Sequence, residues 1–137
     1  MPLQKISPLL QVTDLDVSLL FYTQKLGFTE FYREEGGFVI LGRDECEIFL
    51  AQKQTTVDLR NVTARNKPDG FANYDVFIFC EKGTVDVLWK TFREADVPMH
   101  MSYDLGPVNR SYGIRDFNVF DPDGYDIVFG EPFEETI

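Results

Sequence analysis

Histidine and tryptophan each occur once in this chain of 137 residues, and cysteine occurs twice. With His100 as the sole imidazole, no Ser-His or Cys-His arrangement can be put forward for nucleophilic catalysis. Cys46 and Cys80 sit inside apolar, strand-like runs, so two buried free thiols are expected, with neither a disulfide nor a metal pair. Basic residues are also scarce: 13 against 23 acidic ones, a formal net charge of −10. Such a surface repels phosphate backbones and anionic headgroups, which argues against nucleic acid and membrane partners. It would favour a cationic ligand if the acidity gathers at a pocket, and otherwise it is a solvated face that keeps the chain dispersed. No apolar run approaches the ~20 residues of a membrane span. Met1-Pro2-Leu3-Gln4-Lys5 leads into a short strand-like run, so no secretory leader is expected and the compartment is read as cytoplasmic. No glycine-rich phosphate loop precedes a helix, because Gly36-Gly37 falls in a hairpin.

What the chain does have is apolar bulk. Hydrophobic residues make up 44% and aromatics 15%, including 13 Phe, enough for a single domain (1–137) with a packed core. The most informative stretch lies near the end, where two runs rich in β-branched and aromatic residues flank Asp121-Pro122-Asp123-Gly124. Pro suits the second position of a turn and Gly supplies the backbone freedom at its end, so 114–121 and 125–130 are read as a hairpin.

Element order repeats. A short extended run at 5–12 is followed by a helix-start signal, Thr13-Asp14, with Val17, Leu20, Phe21 and Leu26 at helical spacing and Gly27 as a left-handed cap. Strands are predicted at 28–33, 37–41 and 45–51. After 52–73, which lacks periodicity and reads as a linker or lid, the unit recurs. A strand at 74–80 precedes a helix opened by Gly83-Thr84, with Val85, Leu88, Trp89 and Phe92 on one face, and then strands at 99–104, 114–121 and 125–130. The fold class is therefore α+β: two βαβββ modules, 5–51 and 74–131.

Two motifs carry a resemblance. Leu9-Leu10-Gln11-Val12-Thr13-Asp14, then Phe21-Tyr22 and Leu26-Gly27-Phe28, resemble the opening of the glyoxalase / bleomycin-resistance / extradiol-dioxygenase group, the vicinal oxygen chelate superfamily. Gly113-Ile114-Arg115-Asp116-Phe117 ahead of Asp121-Pro122-Asp123-Gly124 matches its usual ending. The resemblance implies paired βαβββ modules whose sheet curves, partly open, around a cavity, usually within a homodimer. It also implies four metal-ligand positions, which carry over to Ser7, Glu47, Tyr74 (or Asp75, one residue on) and Val128. One clear match in four is too few for a catalytic ion, which needs about three N, O or S donors. No metal and no cofactor are therefore expected. The layout is closest to the bleomycin-resistance proteins, with counterparts in Phe21-Tyr22-Thr23 and in the 113–117 stretch.

Alternation along 114–121 separates Arg115, Phe117 and Val119 from Asp116 and Asn118. By the resemblance the former pack under a helix and the latter face the cavity, although both could equally face water. Glu47 and Phe49 share one face of the fourth strand, opposite Cys46, Ile48 and Leu50. A carboxylate among aromatics needs a partner, and Glu47 could find it in a ligand ammonium or internally in Arg115 or Arg43. Tyr74, Tyr103 and Tyr112 could stack on a planar ligand, while Trp89 holds a core-type position and His100 reads as a structural or solvent-facing residue at the edge of a strand. The candidate ligand-binding set is thus Ser7, Glu47, Phe49, Tyr74, Tyr103, Tyr112, Asp116, Asn118 and Val128, with no catalytic residue. The leading expectation is a metal-free protein that binds a hydrophobic or cationic small molecule, a cationic aromatic antibiotic among them. The alternative is a divalent-metal-dependent glyoxalase- or dioxygenase-like enzyme with an unusual ligand set, such as Glu47, Asp75 and His100. A third reading is an interaction module whose cavity Leu9, Phe49 and Phe120 have filled.

Overall fold

The computed structural model describes residues 1–54 and 74–134, so the segment read as a linker or lid lies outside it from residue 55 onward. The described residues form two compact units, one on each side of that segment. Each carries a four-stranded mixed sheet that is open rather than closed into a barrel.

In the first unit, β1 (Leu9–Val12) leads into α1 (Leu15–Leu20), β2 (Thr29–Glu34), β3 (Phe38–Arg43) and β4 (Cys46–Gln52). The helix begins where the sequence placed its cap. Asp14 is extended, and its carboxylate accepts the backbone N–H groups of Asp16 and Val17 at 3.1 and 3.3 Å, satisfying donors that have no partner inside the helix. α1 widens into a π-helical turn, Phe21–Lys25, and Gly27 then reverses the chain at φ +78°. The strands run in the order β1-β4-β3-β2, with β1 parallel to β4 and the rest antiparallel. Val12, Val39, Leu41, Ile48 and Leu50 are buried from the sheet, and Leu19, Tyr22 and Leu26 from the helical segment.

The second unit repeats the plan with β5 (Val76–Phe79), α2 (Val85–Glu94), β6 (Val108–Asn109), β7 (Ile114–Phe120) and β8 (Asp126–Pro132), ordered β5-β8-β7-β6. The hairpin between β7 and β8 turns as its residues require. Asp121 Oδ1 accepts the N–H groups of Asp123 and Tyr125 at 2.9 Å each, and Gly124 sits at φ +84°. Phe117, Val119, Ile127 and Phe129 form the buried face, joined by Val85, Leu88 and Phe92 of α2. The Phe92 ring lies 6.0 Å from Phe117 and 5.3 Å from Phe129. Burying side chains of this size contributes about 1.5–3 kcal/mol each.

The predicted strand at 99–104 is not a strand. Residues Met101–Tyr103 form a 3-10 turn, and the extended stretch is the later, two-residue β6. The turn is capped locally: His100 Nδ1 accepts the Ser102 N–H at 3.1 Å, an arrangement that competes with strand pairing. The two cysteines are free, as expected, but half-buried rather than buried. Burial first, then the Asp44 and Glu45 charges, push the Cys46 thiol pKa above its ordinary value.

Both helices are also held by the last strand of their own module. Gln52, ending β4, accepts the Leu15 N–H at 2.8 Å and donates to the Thr13 carbonyl at 2.6 Å. Buried Glu131 of β8 accepts from the N–H groups of Gly83 and Val85, the latter at 2.6 Å. Thr84, at the cap position, contributes no side-chain bond of its own.

Candidate ligand cavity

One face of the second sheet packs on α2, and the opposite face floors a cavity of about 750 Å³ whose lining residues all belong to this unit. Cross-strand register sets out the floor in two rows. Phe77, Val128 and Asn118 stand side by side in the first, and Phe79, Gly130 and Asp116 in the second. Strand alternation sends these side chains away from the helix. Tyr74, Phe77 and Phe79 form an aromatic wall, with successive ring centroids 5.3 and 4.6 Å apart. Tyr112, Ile114 and the turn residues His100, Ser102 and Tyr103 complete the lining of this open cavity.

The polar side of the floor is tightly bonded. Asp116 is buried, and its Oδ1 accepts the Tyr103 hydroxyl at 2.9 Å and the Nε and Nη2 of Arg110 at 3.2 Å each. Arg110 Nη2 also donates to the Tyr103 hydroxyl oxygen at 2.6 Å, and the guanidinium carbon lies 5.8 Å from the Tyr103 ring centre. The triangle of Asp116, Tyr103 and Arg110 fixes all three side chains. Burial, the hydrogen bond to Asp116 and its negative charge raise the Tyr103 pKa well above the usual phenol range. Burial disfavours the Arg110 charge, but Asp116 outweighs that and raises its pKa. Beside this triangle, Asn118 Oδ1 accepts the His100 N–H at 2.9 Å, while its Nδ2 donates to Asp126 Oδ1 at 3.0 Å. Trp89 lies half-buried on α2 and donates its indole N–H to the Tyr103 carbonyl at 2.8 Å, tying the helix to the cavity turn.

Of the nine sequence candidates, Tyr74, Tyr103, Tyr112, Asp116, Asn118 and Val128 line this cavity. Asp116 and Asn118 face it from a strand whose other side, Phe117 and Val119, is fully buried. The remaining three lie in the first unit. Ser7 donates to Glu47 Oε1 at 2.8 Å, Lys5 donates to Glu47 Oε2 at 2.9 Å, and the Phe49 ring packs against Phe38 at 5.4 Å. The expected internal partners of Glu47 are corrected: Arg115 pairs with Asp86 at 2.7 Å, and Arg43 donates to the Leu26 carbonyl. Lys5 takes that place, and its hydrogen bond, followed by that of Ser7, lowers the Glu47 pKa.

Arg110, Asp126, Phe77 and Phe79 also line the cavity and were missed, and His100, weighed in the sequence only as a structural residue or a metal ligand, lines it as well. Arg110 could have been found as the cation next to Asp116 across a short hairpin; the misplaced strand at 99–104 hid both it and His100. Leu9, proposed as a cavity filler, is half exposed in the first unit.

The family profile of the Glyoxalase/Bleomycin resistance protein/Dioxygenase superfamily matches residues 5–129. The chain belongs to that superfamily. Solved structures share its fold. A glyoxalase/bleomycin resistance protein/dioxygenase from Nocardioides is 21% identical, with 99% of this chain and 88% of that one covered at a TM-score of 0.67. The lactoylglutathione lyase from Agrobacterium tumefaciens is 19% identical, with 95% and 94% covered and a TM-score of 0.67. TioX from Micromonospora sp. ML1 is 14% identical, with 98% and 100% covered and a TM-score of 0.64. No curated protein matches the sequence. These likenesses establish the fold of this superfamily member and leave its chemistry to its own residues.

Those residues do not fit a divalent ion at the positions that the superfamily resemblance implies. Val128 has no donor atom, Tyr74 and Ser7 are poor ligands, and Glu47 already holds an ammonium and a hydroxyl. Among the described residues, no group of three or more His, Cys, Asp or Glu side chains gathers where a metal could sit. No described helix is long and apolar enough to cross a membrane.

Proposed function

We propose that this superfamily member is a metal-independent binding protein that takes a hydrophobic, planar small molecule into the cavity of its second module. The observation that carries the reading is the cavity itself: about 750 Å³, walled by Tyr74, Phe77, Phe79 and Tyr112, over a floor whose Asp116 is neutralised by Arg110. Aromatic walls with a few fixed polar groups suit a flat ligand. A ligand cation would find the Asp116 carboxylate already occupied, which favours neutral ligands over the cationic antibiotic that the bleomycin-resistance layout suggests. The reading keeps the protein in the cytoplasm, where the free Cys46 and Cys80 thiols stay reduced, and as a homodimer, the assembly the resemblance implies.

The test combines elemental analysis with titration of Trp89 fluorescence, which reports on the cavity through the Tyr103 carbonyl. Xanthone, 9-aminoacridine and bleomycin would be added in buffer with and without a chelator. Saturable binding of a planar compound, unchanged by chelation and with no stoichiometric metal, supports the reading. Binding that requires a divalent ion, or none at all, overturns it.

A further inference from the structure

In the cavity lining both carboxylates accept hydrogen bonds, while Arg110 and His100 each keep an N–H donor with no partner among the described residues. Asp116 takes three hydrogen bonds on Oδ1, and Asp126 Oδ1 accepts from Asn118. Arg110, by contrast, directs only its Nε and Nη2 edge at Asp116 and Tyr103. Its Nη1 group, with two N–H donors, has no partner among the described residues. His100 offers a second N–H donor. Its Nδ1 lies 2.8 Å from the Ser102 hydroxyl and 3.1 Å from the Ser102 backbone nitrogen; with Nδ1 accepting that backbone N–H, the ring proton sits on Nε2, which has no partner among the described residues. Both side chains line the cavity.

Resting on the binding reading above, we infer that the cavity selects planar aromatic ligands bearing a neutral hydrogen-bond acceptor, a carbonyl oxygen above all, seated on Arg110 Nη1 with His100 Nε2–H as the second donor. Charge decides between acceptor classes. Two carboxylates, Asp116 and Asp126, and one guanidinium line the cavity, so an anionic head group would meet a net negative lining. A neutral carbonyl meets none, and it answers donors that an apolar ring would leave unpaired. Donors left unpaired on binding are the main source of discrimination against an analogue lacking the acceptor. The Arg110 guanidinium needs no reordering to serve, because Asp116 and Tyr103 already fix it.

Three flat compounds test the inference on the full chain. Xanthone has the ring carbonyl, xanthene lacks it, and 9-aminoacridine is a cation of similar shape. Xanthone is expected to bind about tenfold or more tightly than xanthene, the factor that one charge-assisted hydrogen bond supplies, and its carbonyl stretch to fall in wavenumber when bound. In Arg110→Lys, which keeps a cation for Asp116 but withdraws the planar fork, that preference is expected to shrink to about threefold or less. Equal binding of xanthone and xanthene, or tightest binding of 9-aminoacridine, would overturn the inference while leaving the cavity a binding site. Failure of all three to bind overturns the binding reading with it.

Discussion

The bare Cα of Gly130 lies directly beneath the ring of Phe77: a Cβ at that point would stand 2.6 Å from Phe77 Cζ and 3.0 Å from Cε1. Gly130 is the gap in the cavity floor that lets the aromatic wall lie flat. Gly130→Ala should therefore tip Phe77 into the cavity, since the ring edge can move and the paired strand cannot. The expected cost in stability is about 1–3 kcal/mol, read by urea denaturation. The weakening of ligand binding should exceed it in proportion, and unchanged binding would show that Phe77 has another way to move.

Asp116→Asn removes the counter-charge of Arg110 and one end of the Tyr103 hydrogen bond. Because Arg110 keeps some solvent contact, the loss should be about 1–3 kcal/mol, below that of a wholly buried ion pair. The variant should also bind xanthone less well, as the guanidinium is no longer fixed. A fully stable variant with wild-type binding would mean that Tyr103 alone orders the triangle.

Tyr103 gives the protein an alkaline limit. Its folded pKa is raised, so the folded chain holds the phenol proton more tightly than the unfolded chain does. This contribution to stability is complete below the ordinary phenol value of about 10 and declines as pH rises past it. Urea denaturation at pH 9 and pH 11 should show a drop in the wild type and a smaller one in Tyr103→Phe. An equal drop in both would remove Tyr103 as the cause.

Glu47 works in the opposite direction. Lys5 and Ser7 lower its folded pKa, so its contribution is present above the ordinary carboxyl value of about 4.3 and is lost as pH falls below it. In Lys5→Ala the Glu47 carboxyl should titrate closer to its ordinary value, as carbon-detected NMR would show. Overall stability at neutral pH should barely change, because the pair is open to solvent. An unmoved Glu47 titration would assign the shift to Ser7.

How much of this was legible in the sequence follows the range of the interactions. Asp14, Gly27 and the Asp121–Gly124 turn act on backbone within a few residues of themselves, and each does what its residue type predicts. The alternation that set Asp116 and Asn118 apart from Phe117 and Val119 is equally local. Local pattern misled at 99–104, where apolar Met99 and Met101 imitate a strand but His100 and Ser102 close a turn. The missed cavity residue Arg110 follows a strand only two residues long, too short to show a period. Lys5 reaches Glu47 across 42 positions, a separation at which no spacing rule applies.

The caps lent by the closing strands have a consequence for the order in which the chain can fold. The first turn of α1, already capped locally by Asp14, gains a further bond from a group 37 positions downstream, whereas that of α2, with no side-chain cap of its own, is held by one 46 positions downstream. During synthesis α2 leaves the ribosome well before the residue that secures its start, and α1 well before the residue that reinforces it. Short helices are marginal on their own, so neither is a good seed. Each module would gain its order in one late event, when its final strand settles beside its first.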